Sequence, residues 1–355
     1  MDAISFSDQS PSIEIGPIST SSFPNLLKGY EQGKIAILVD ENTHYHCLEF
    51  LITTFDTLRE AEIIEVPSGE QSKDLAICTQ LWHSLTESNF GRHDLLINLG
   101  GGVVSDLGGF VASVYKRGIP FINVPTSLLG MLDAAIGSKN GIDFLGFKNQ
   151  LGSFTPALRT FVDVNWLHTL PQKEWLNGYA ELLKHSLIYD AILWEELLLI
   201  DTIEKELTAA QIKRGIDIKN EIVAQDPLEK GLRKILNFGH TIGHAIEAYY
   251  LETDKPLSHG HAVAIGMLLE AHLSLQLSGL QLSDFQQIKE VVLNKFSLHL
   301  PSDKSLIWQL MQHDKKNREG QIRMSLLAAV GECKFDQHVK FVEFEQAYDS
   351  IAALK

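Results

Sequence analysis

Cysteine is scarce in this chain: Cys47, Cys78 and Cys333 are the only three in 355 residues. Their odd number and scattered positions, with no C-x-x-C spacing, exclude a disulfide framework and a thiolate zinc site, and they fit a reducing compartment. Positive charge is also short. Thirty basic side chains face 45 acidic ones, for a formal charge of −15. Such a surface repels a phosphate backbone and excludes general nucleic-acid binding, so an anionic substrate would need a local basic cluster. No apolar run reaches the roughly 18 residues of a membrane span. The opening MDAISFSDQSPSIEIG has neither the basic nor the apolar region of a secretory signal. A cytoplasmic protein with no membrane and no nucleic-acid partner is expected, and its length allows two domains, each with its own core.

What the chain does have is arranged in two textures. KIAILVD (34–40), EIIEV (62–66), DLLINLGGG (94–102), PFINVP (120–125) and RTFVDV (159–164) read as strands, with amphipathic segments between most of them. That alternation predicts an α/β layer with a mostly parallel sheet. After Pro171 helical periodicity dominates from Gln172 to about Leu280 and returns near 283–296, so the second half should be mainly α-helical. The stretch 322–335 reads as a small hairpin. The texture changes near 165–171, and the expected domains are 1–168 and 169–355.

Gly100, Gly101 and Gly102 follow an apolar strand and precede a helix containing Asp106. Backbone amides there can approach a diphosphate, in the favourable field of a helix N-terminus. The pattern is not G-x-G-x-x-G, and a tight strand-to-helix turn would use the same glycines. Two further strand ends, VDENT with Asp40 and PSGEQSK with Glu70 and Lys73, favour a dinucleotide across the carboxyl edge of the sheet. Asp133, Lys139, Lys148 and Asn149 stand in glycine-rich segments read as non-helical, where lysines in an acidic protein fit an anion pocket.

In the helical half, EWLNGYAELLKHSLIYD places Glu181, Lys184 and His185 on one face. His240, His244, His259 and His261 crowd the segment NFGHTIGHAIEAYYLETDKPLSHGHAVAIGM (237–267). His240 and His244 are four apart, like the histidines of H-E-x-x-H, but no glutamate stands between them, which speaks for a metal and against a metalloprotease. Spacing alone favours His240 and His244 as a ligand pair, with Glu181 or His259 completing an open catalytic zinc site. It does not rank His261.

Taken together, GGGVVSDLGGFVASVYKRG, INVPTSLLGMLDAAIGSKNGID, FKNQLGSF, NGYAELLKH, GLRKILNFGHTIGHAIE and HGHAVAIGM resemble 3-dehydroquinate synthase of the sugar-phosphate cyclase superfamily, in order from about Asp40 to Asn317. The resemblance implies an N-terminal NAD-binding α/β domain, a C-terminal helical metal domain, an active site in the cleft between them, and a homodimer. It implies a lyase that converts 3-deoxy-D-arabino-heptulosonate 7-phosphate into 3-dehydroquinate and phosphate. The implied ligands of one divalent ion, zinc or cobalt, are Glu181, His240 and His259, which turns His244 into a substrate contact. The implied NAD contacts in the first strands and turns are Asp40, Asn42, Glu70 and Lys73. Gly101, Gly102, Val103 and Asp106 follow on the glycine loop, then Thr126, Ser127, Lys148, Trp166 and Thr169. Asp133, Lys139, Asn149, Lys184, Lys219, Arg233, Asn237 and His244 would hold the sugar phosphate, with Lys315 or Lys316 of DKKN. Arg117 would reach the phosphate from a partner subunit.

The chain departs from the family at two places. GSKNGID stands for the usual GGKTG(V/I)N, and HGH for the usual HGE, so Asn140, Asp143 and His261 change the polarity beside Lys139 and His259. A cyclase for another sugar phosphate would typically alter the lysine, asparagine or second histidine of the pocket, which here keep the dehydroquinate-synthase pattern. An iron- or zinc-dependent polyol dehydrogenase would have no use for the cluster of Lys139, Lys148 and Arg233. A nucleotide-sensing module would leave the metal candidates without purpose.

Overall fold

The computed structural model describes residues 12–145, 147–251, 253–312 and 322–354. The chain divides into two compact units, Met1–Glu174 and Trp175–Lys355.

The first unit is built on a six-stranded sheet. Its strands are β1 (Ile13–Ile15), β2 (Ile35–Asp40), β3 (Glu62–Val66), β4 (Leu95–Gly100), β5 (Phe121–Pro125) and, after a hairpin of β6 (Lys139–Phe144) and β7 (Phe147–Phe154), β8 (Thr160–Val162). The order is β1-β8-β5-β4-β2-β3, and every neighbouring pair is parallel. β4 and β5 are buried along their whole length and β2 nearly so, which is why each reads as a continuous apolar run: helices and loops cover both faces. The edge strand β3 buries Ile64 and Val66 and leaves Glu62 and Glu65 exposed. β1, only three residues long, gives no periodic signal and is not among the expected strands. The chain runs outward from β2 to β3 and then returns to the other side of β2 as β4. The carboxyl ends of β2 and β4 therefore flank a topological switch point, where open α/β sheets bind ligands. Helix α1 (Leu75–Glu87) and helix α2 (Gly102–Val114) pack on this sheet, and α2 is buried over most of its length.

The second unit is mainly helical. Its longer helices are α3 (Gln172–Tyr189), α4 (Ala209–Gln225), α5 (His240–Leu251), α6 (His259–Leu277), α7 (Leu282–Lys295), α8 (Lys304–Gln312) and α9 (Phe341–Ala352). Helix α6 is apolar all round and almost wholly buried, as a central helix must be. The late hairpin is present as antiparallel β9 (Ile322–Ala329) and β10 (Glu332–Val339). Among the described residues no helix is long and apolar enough to cross a membrane.

Candidate active site

In the first unit the polar groups gather where β2, β3 and β4 end. Gly101 is the N-cap of α2, and the amide of Thr126 donates to the Gly100 carbonyl (3.0 Å), which brings the 126–127 turn onto the glycine loop. A Cβ built on Gly101 would lie 3.1 Å from the Ser127 hydroxyl, and one on Gly102 3.0 Å from Ala134. The glycines thus also serve close packing within the loop. Val103 continues the first turn of α2. Asp40 ends β2 and acts as an N-cap: its Oδ1 accepts from the Thr43 amide (2.8 Å) and hydroxyl (3.0 Å), while Asn42 is exposed on that turn.

Lys73 is the hub of this cluster. It is only 4% exposed, and its ammonium donates to Asp106 Oδ2 (2.8 Å) and Asn149 Oδ1 (2.7 Å). Glu70 lies 3.6 Å from it and 3.3 Å from the Lys148 ammonium. Burial alone would lower the Lys73 pKa, but the carboxylates of Asp106 and Glu70 outweigh burial and hold it above the ordinary lysine value. Burial pushes the Asp106 carboxyl up, partly offset by Lys73.

Both departures at GSKNGID have local explanations. Asn140 donates to the carbonyls of Ser138 (3.2 Å) and Thr155 (2.8 Å), and its amide oxygen sits where any side chain at Gly109 would go. Asp143 Oδ1 accepts from the Asn149 amide (2.7 Å), and the Asp143 amide donates to the Lys73 carbonyl (2.8 Å). Asn149 has a left-handed backbone (φ 49°), and Asp143 braces it.

The remaining first-unit candidates are placed more separately. Asp133 lies on a π-helical turn, Gly130–Ala134, and not in the non-helical setting expected of it. Lys139 opens β6 and is exposed; Trp166 is buried against Phe50, with ring centroids 5.3 Å apart. Thr169 donates to the Trp166 carbonyl on its own turn (3.4 Å). Arg117 is exposed on a turn in which Lys116 (φ 50°), Arg117 (φ 68°) and Gly118 (φ 109°) are all left-handed. Two non-glycine residues in that region mark a strained turn, the kind retained at functional positions.

In the second unit three helices bring the metal candidates together. Glu181 and Lys184 of α3 are almost completely buried and ion-paired. Nε2 of His240 and of His259 lie 3.3 and 3.4 Å from Glu181 Oε1. Nδ1 of His240 faces the Phe238 carbonyl (3.2 Å), which fixes the ring with Nε2 inward. Burial would raise the Glu181 pKa, but Lys184 and His240 outweigh it, so the carboxylate stays ionised. Burial and then Lys184 lower His240. Burial would lower His259 too, but Glu247 and Glu181 reverse that and carry it to about 10.

Among the described residues of this unit, two trios have ligand atoms all within 4.8 Å of one another: Glu181, His240 and His259, and His244, Glu247 and His259. Neither contains both His240 and His244, although those rings are 5.2 Å apart. The first trio fits a divalent ion on its own evidence. It offers two imidazole nitrogens and one ionised carboxylate, and neither oxygen of the buried Glu181 receives an aligned hydrogen bond.

The helices carrying these ligands touch backbone to backbone. A Cβ on Gly243 of α5 would lie 3.0 Å from the Ala262 carbonyl of α6, and one on Gly266 of α6 would overlap the Gly239 carbonyl. One on Gly260 would come within 2.5 Å of the Asn177 backbone of α3. Buried polar side chains pin the same junctions. Asn177 Oδ1 accepts from the Gly260 amide (3.0 Å), and Glu270 of α6 accepts from the amides of Gly239 (2.7 Å) and Ile242 (3.1 Å) at the start of α5. Sequence reasoning missed both residues. For Glu270 the available signal was a lone carboxylate in the otherwise apolar run 262–271 of α6. Glu270→Ala would leave helix N-terminal amides buried and unpaired, and should destabilise the second unit by about 3 kcal/mol in urea unfolding.

Lys219 is buried on α4. Arg233 and Asn237 lie on the 3₁₀ turn Leu232–Asn237, and Arg233 donates to the Pro227 carbonyl (2.6 Å). Asn237 donates to Glu229 (2.6 Å). His261 is engaged elsewhere: its Nε2 accepts from the Ser297 amide (3.2 Å) and its ring edge meets Phe296, so it braces the end of α7. Lys315 and Lys316 lie outside the described residues.

Residues 63–177 match the family model for the 3-dehydroquinate synthase N-terminal region, and residues 178–317 that for its C-terminal region. A 3-dehydroquinate synthase from Parabacteroides distasonis is 38% identical over 323 residues, covering 90% of this chain and 91% of its own. Among solved structures, 2-epi-5-epi-valiolone synthase from Streptomyces hygroscopicus, with NAD+ and Zn2+ bound, superposes with a TM-score of 0.86 at 24% identity and complete coverage of both chains. A 2-deoxy-scyllo-inosose synthase complexed with carbaglucose-6-phosphate, NAD+ and Co2+ gives 0.84 at 24% identity, covering 97% of this chain and 98% of its own. At that identity the two structures speak for the fold.

Proposed function

This chain belongs to the 3-dehydroquinate synthase family, and from that membership we infer how its residues divide the work of the family's reaction. The activity is a carbon-oxygen lyase of the shikimate pathway, in aromatic amino acid biosynthesis: 3-deoxy-D-arabino-heptulosonate 7-phosphate becomes 3-dehydroquinate and phosphate. Its course is transient oxidation at C5, β-elimination of phosphate, re-reduction and intramolecular aldol closure. The observation that carries the assignment is the trio of Glu181, His240 and His259, with Glu181 and His240 buried, in a chain that aligns with one such synthase over nine-tenths of its length.

NAD, when bound, supplies the reversible redox step, and a divalent ion such as zinc or cobalt supplies Lewis-acid polarisation of the substrate's oxygens. The chain's own residues do the rest. Gly101, Gly102 and Val103 offer backbone amides at the amino end of α2 to the NAD diphosphate, with Thr126 and Ser127 beside them. Asp40, Asn42, Glu70, Asp106, Lys148, Trp166 and Thr169 complete the NAD contacts, and Lys73 holds Asp106 and Asn149 in place. Lys184 keeps Glu181 ionised and, with Lys219, Arg233 and Asn237, binds the substrate's carboxylate and hydroxyls. Asp133 and Asn149 orient the sugar chain. Lys139, Arg117 and a lysine of the 315–316 pair stabilise the departing phosphate by charge. His244, its ring 5.2 Å from His240, moves a proton in the reaction.

A homodimer fits this reading. Phe144, Leu145 and Phe154 of the β6–β7 hairpin are exposed apolar residues, and Arg117 on its strained turn is available to a partner's phosphate site. The three free cysteines accord with a cytoplasmic setting.

The test is phosphate release from the heptulosonate phosphate. With catalytic NAD and a divalent ion, phosphate and 3-dehydroquinate should form in equal amounts. Removal of either NAD or the ion should stop both.

A further inference from the structure

The two histidines that face Glu181 are held by different partners. His240 directs Nδ1 at a backbone carbonyl, that of Phe238. His259 directs Nδ1 at a carboxylate: Glu247 Oε2 lies 3.3 Å away, and Glu247 is itself only 3% exposed, on the third turn of α5. A buried carboxylate is expensive unless it is paired. The metal trio does not need Glu247 as a ligand, and no substrate role falls to it. Resting on the metal-site reading given above, we infer that Glu247 is a positioning residue that fixes the ring orientation and tautomer of His259 and so sets the ion affinity of the trio.

The chemistry follows from the geometry. With Nδ1–H donated to Glu247, the proton that an incoming ion displaces is the one on Nε2, the nitrogen that faces Glu181, and the lone pair left there is aimed at the ion. A carboxylate partner also makes that nitrogen a better donor than a carbonyl partner does. Glu247 adds a charge effect. A divalent ion with Lys184 carries three positive charges in a buried space, and Glu181 alone leaves two uncompensated. Glu247 brings the remainder to one, enough to attract an anionic substrate at a smaller cost of burying charge. His259 is the first residue of α6, and on its Nε2 side the ring meets Glu181 and the rings of His240 and His244. Glu247, one helix away, supplies the restraint at Nδ1, just as Glu270 runs the opposite way from α6 to α5.

The test measures ion binding directly, by competition between the full-length protein and a chromophoric chelator for Zn2+ and for Co2+. Glu247→Ala should weaken both ions by about 10–100-fold, the usual effect of losing such an outer partner. Glu247→Gln, which keeps an acceptor for Nδ1–H but drops the charge, should recover part of that loss and still fold if the alanine variant does not. Glu181→Ala reports separately on the trio. If the wild-type chain binds the ion and Glu181→Ala does not, while both Glu247 variants bind as tightly as wild type, the inference is overturned and the metal site stands. If Glu181→Ala binds as wild type does, the metal site itself is wrong.

Discussion

Glu181→Ala should leave a folded chain that neither retains a divalent ion nor turns over substrate. Outer partners of metal ligands typically contribute about 10–100-fold to affinity, so removal of a ligand should exceed that range. Turnover should fall by more than about a thousandfold, because the ion's charge stabilisation disappears together with its hold on the substrate. His240→Ala and His259→Ala should behave alike. His261→Ala is the control from the same segment: it loses a bond to the Ser297 amide and should keep its metal. Metal content by atomic emission, measured beside phosphate release, checks the set. Full occupancy in His259→Ala with loss in His261→Ala would show that the third ligand is the other histidine.

Lys139→Ala should reduce phosphate release by about 100–1000-fold while NAD affinity stays within a few-fold of wild type. The magnitude is that of removing one preorganised charge from a site where negative charge develops. Lys139 opens β6 on an exposed position, and Gly137 before it has a left-handed backbone (φ 104°), so the substitution disturbs little packing. The same assay discriminates between reaction classes. A lyase that recycles its cofactor accumulates no NADH, whereas a polyol dehydrogenase accumulates it in step with substrate consumed and is indifferent to Lys139. Steady NADH formation, or full activity after rigorous removal of NAD, would sink the assignment.

Much of the first unit was legible because a sheet covered on both faces writes itself as apolar runs, and β2, β4 and β5 do so. β1 was not, since three residues of edge strand carry no period. In the second unit the candidate ligands were visible as histidines and a glutamate, but their grouping was not. An i,i+4 spacing puts His240 and His244 on one helix face, while the partner that matters to His240 comes from α3 and the second imidazole from α6. Helix spacing describes one helix, and this trio takes a residue from each of three. Glu247 and Asn177 were illegible for a related reason: a buried polar side chain bonded to another element has the same letter as one facing water. The strained turn at Lys116 and Arg117 was equally hidden, because neither residue type announces a left-handed backbone.

The contact of α5 and α6 through Gly239, Gly243 and Gly266 bears on how this site can change over generations. Where side chains separate two helices, drift in the core can slide one past the other by small increments. Here main chain rests on main chain: a side chain at Gly266 would overlap the Gly239 carbonyl, and one at Gly243 would press on the backbone of Ala262 and Val263. The spacing of His240 and His259 is therefore insulated from ordinary variation in the surrounding apolar residues. New substrate preferences should arise by replacing groups that line the pocket, since the metal frame itself has no nearby intermediate to move through.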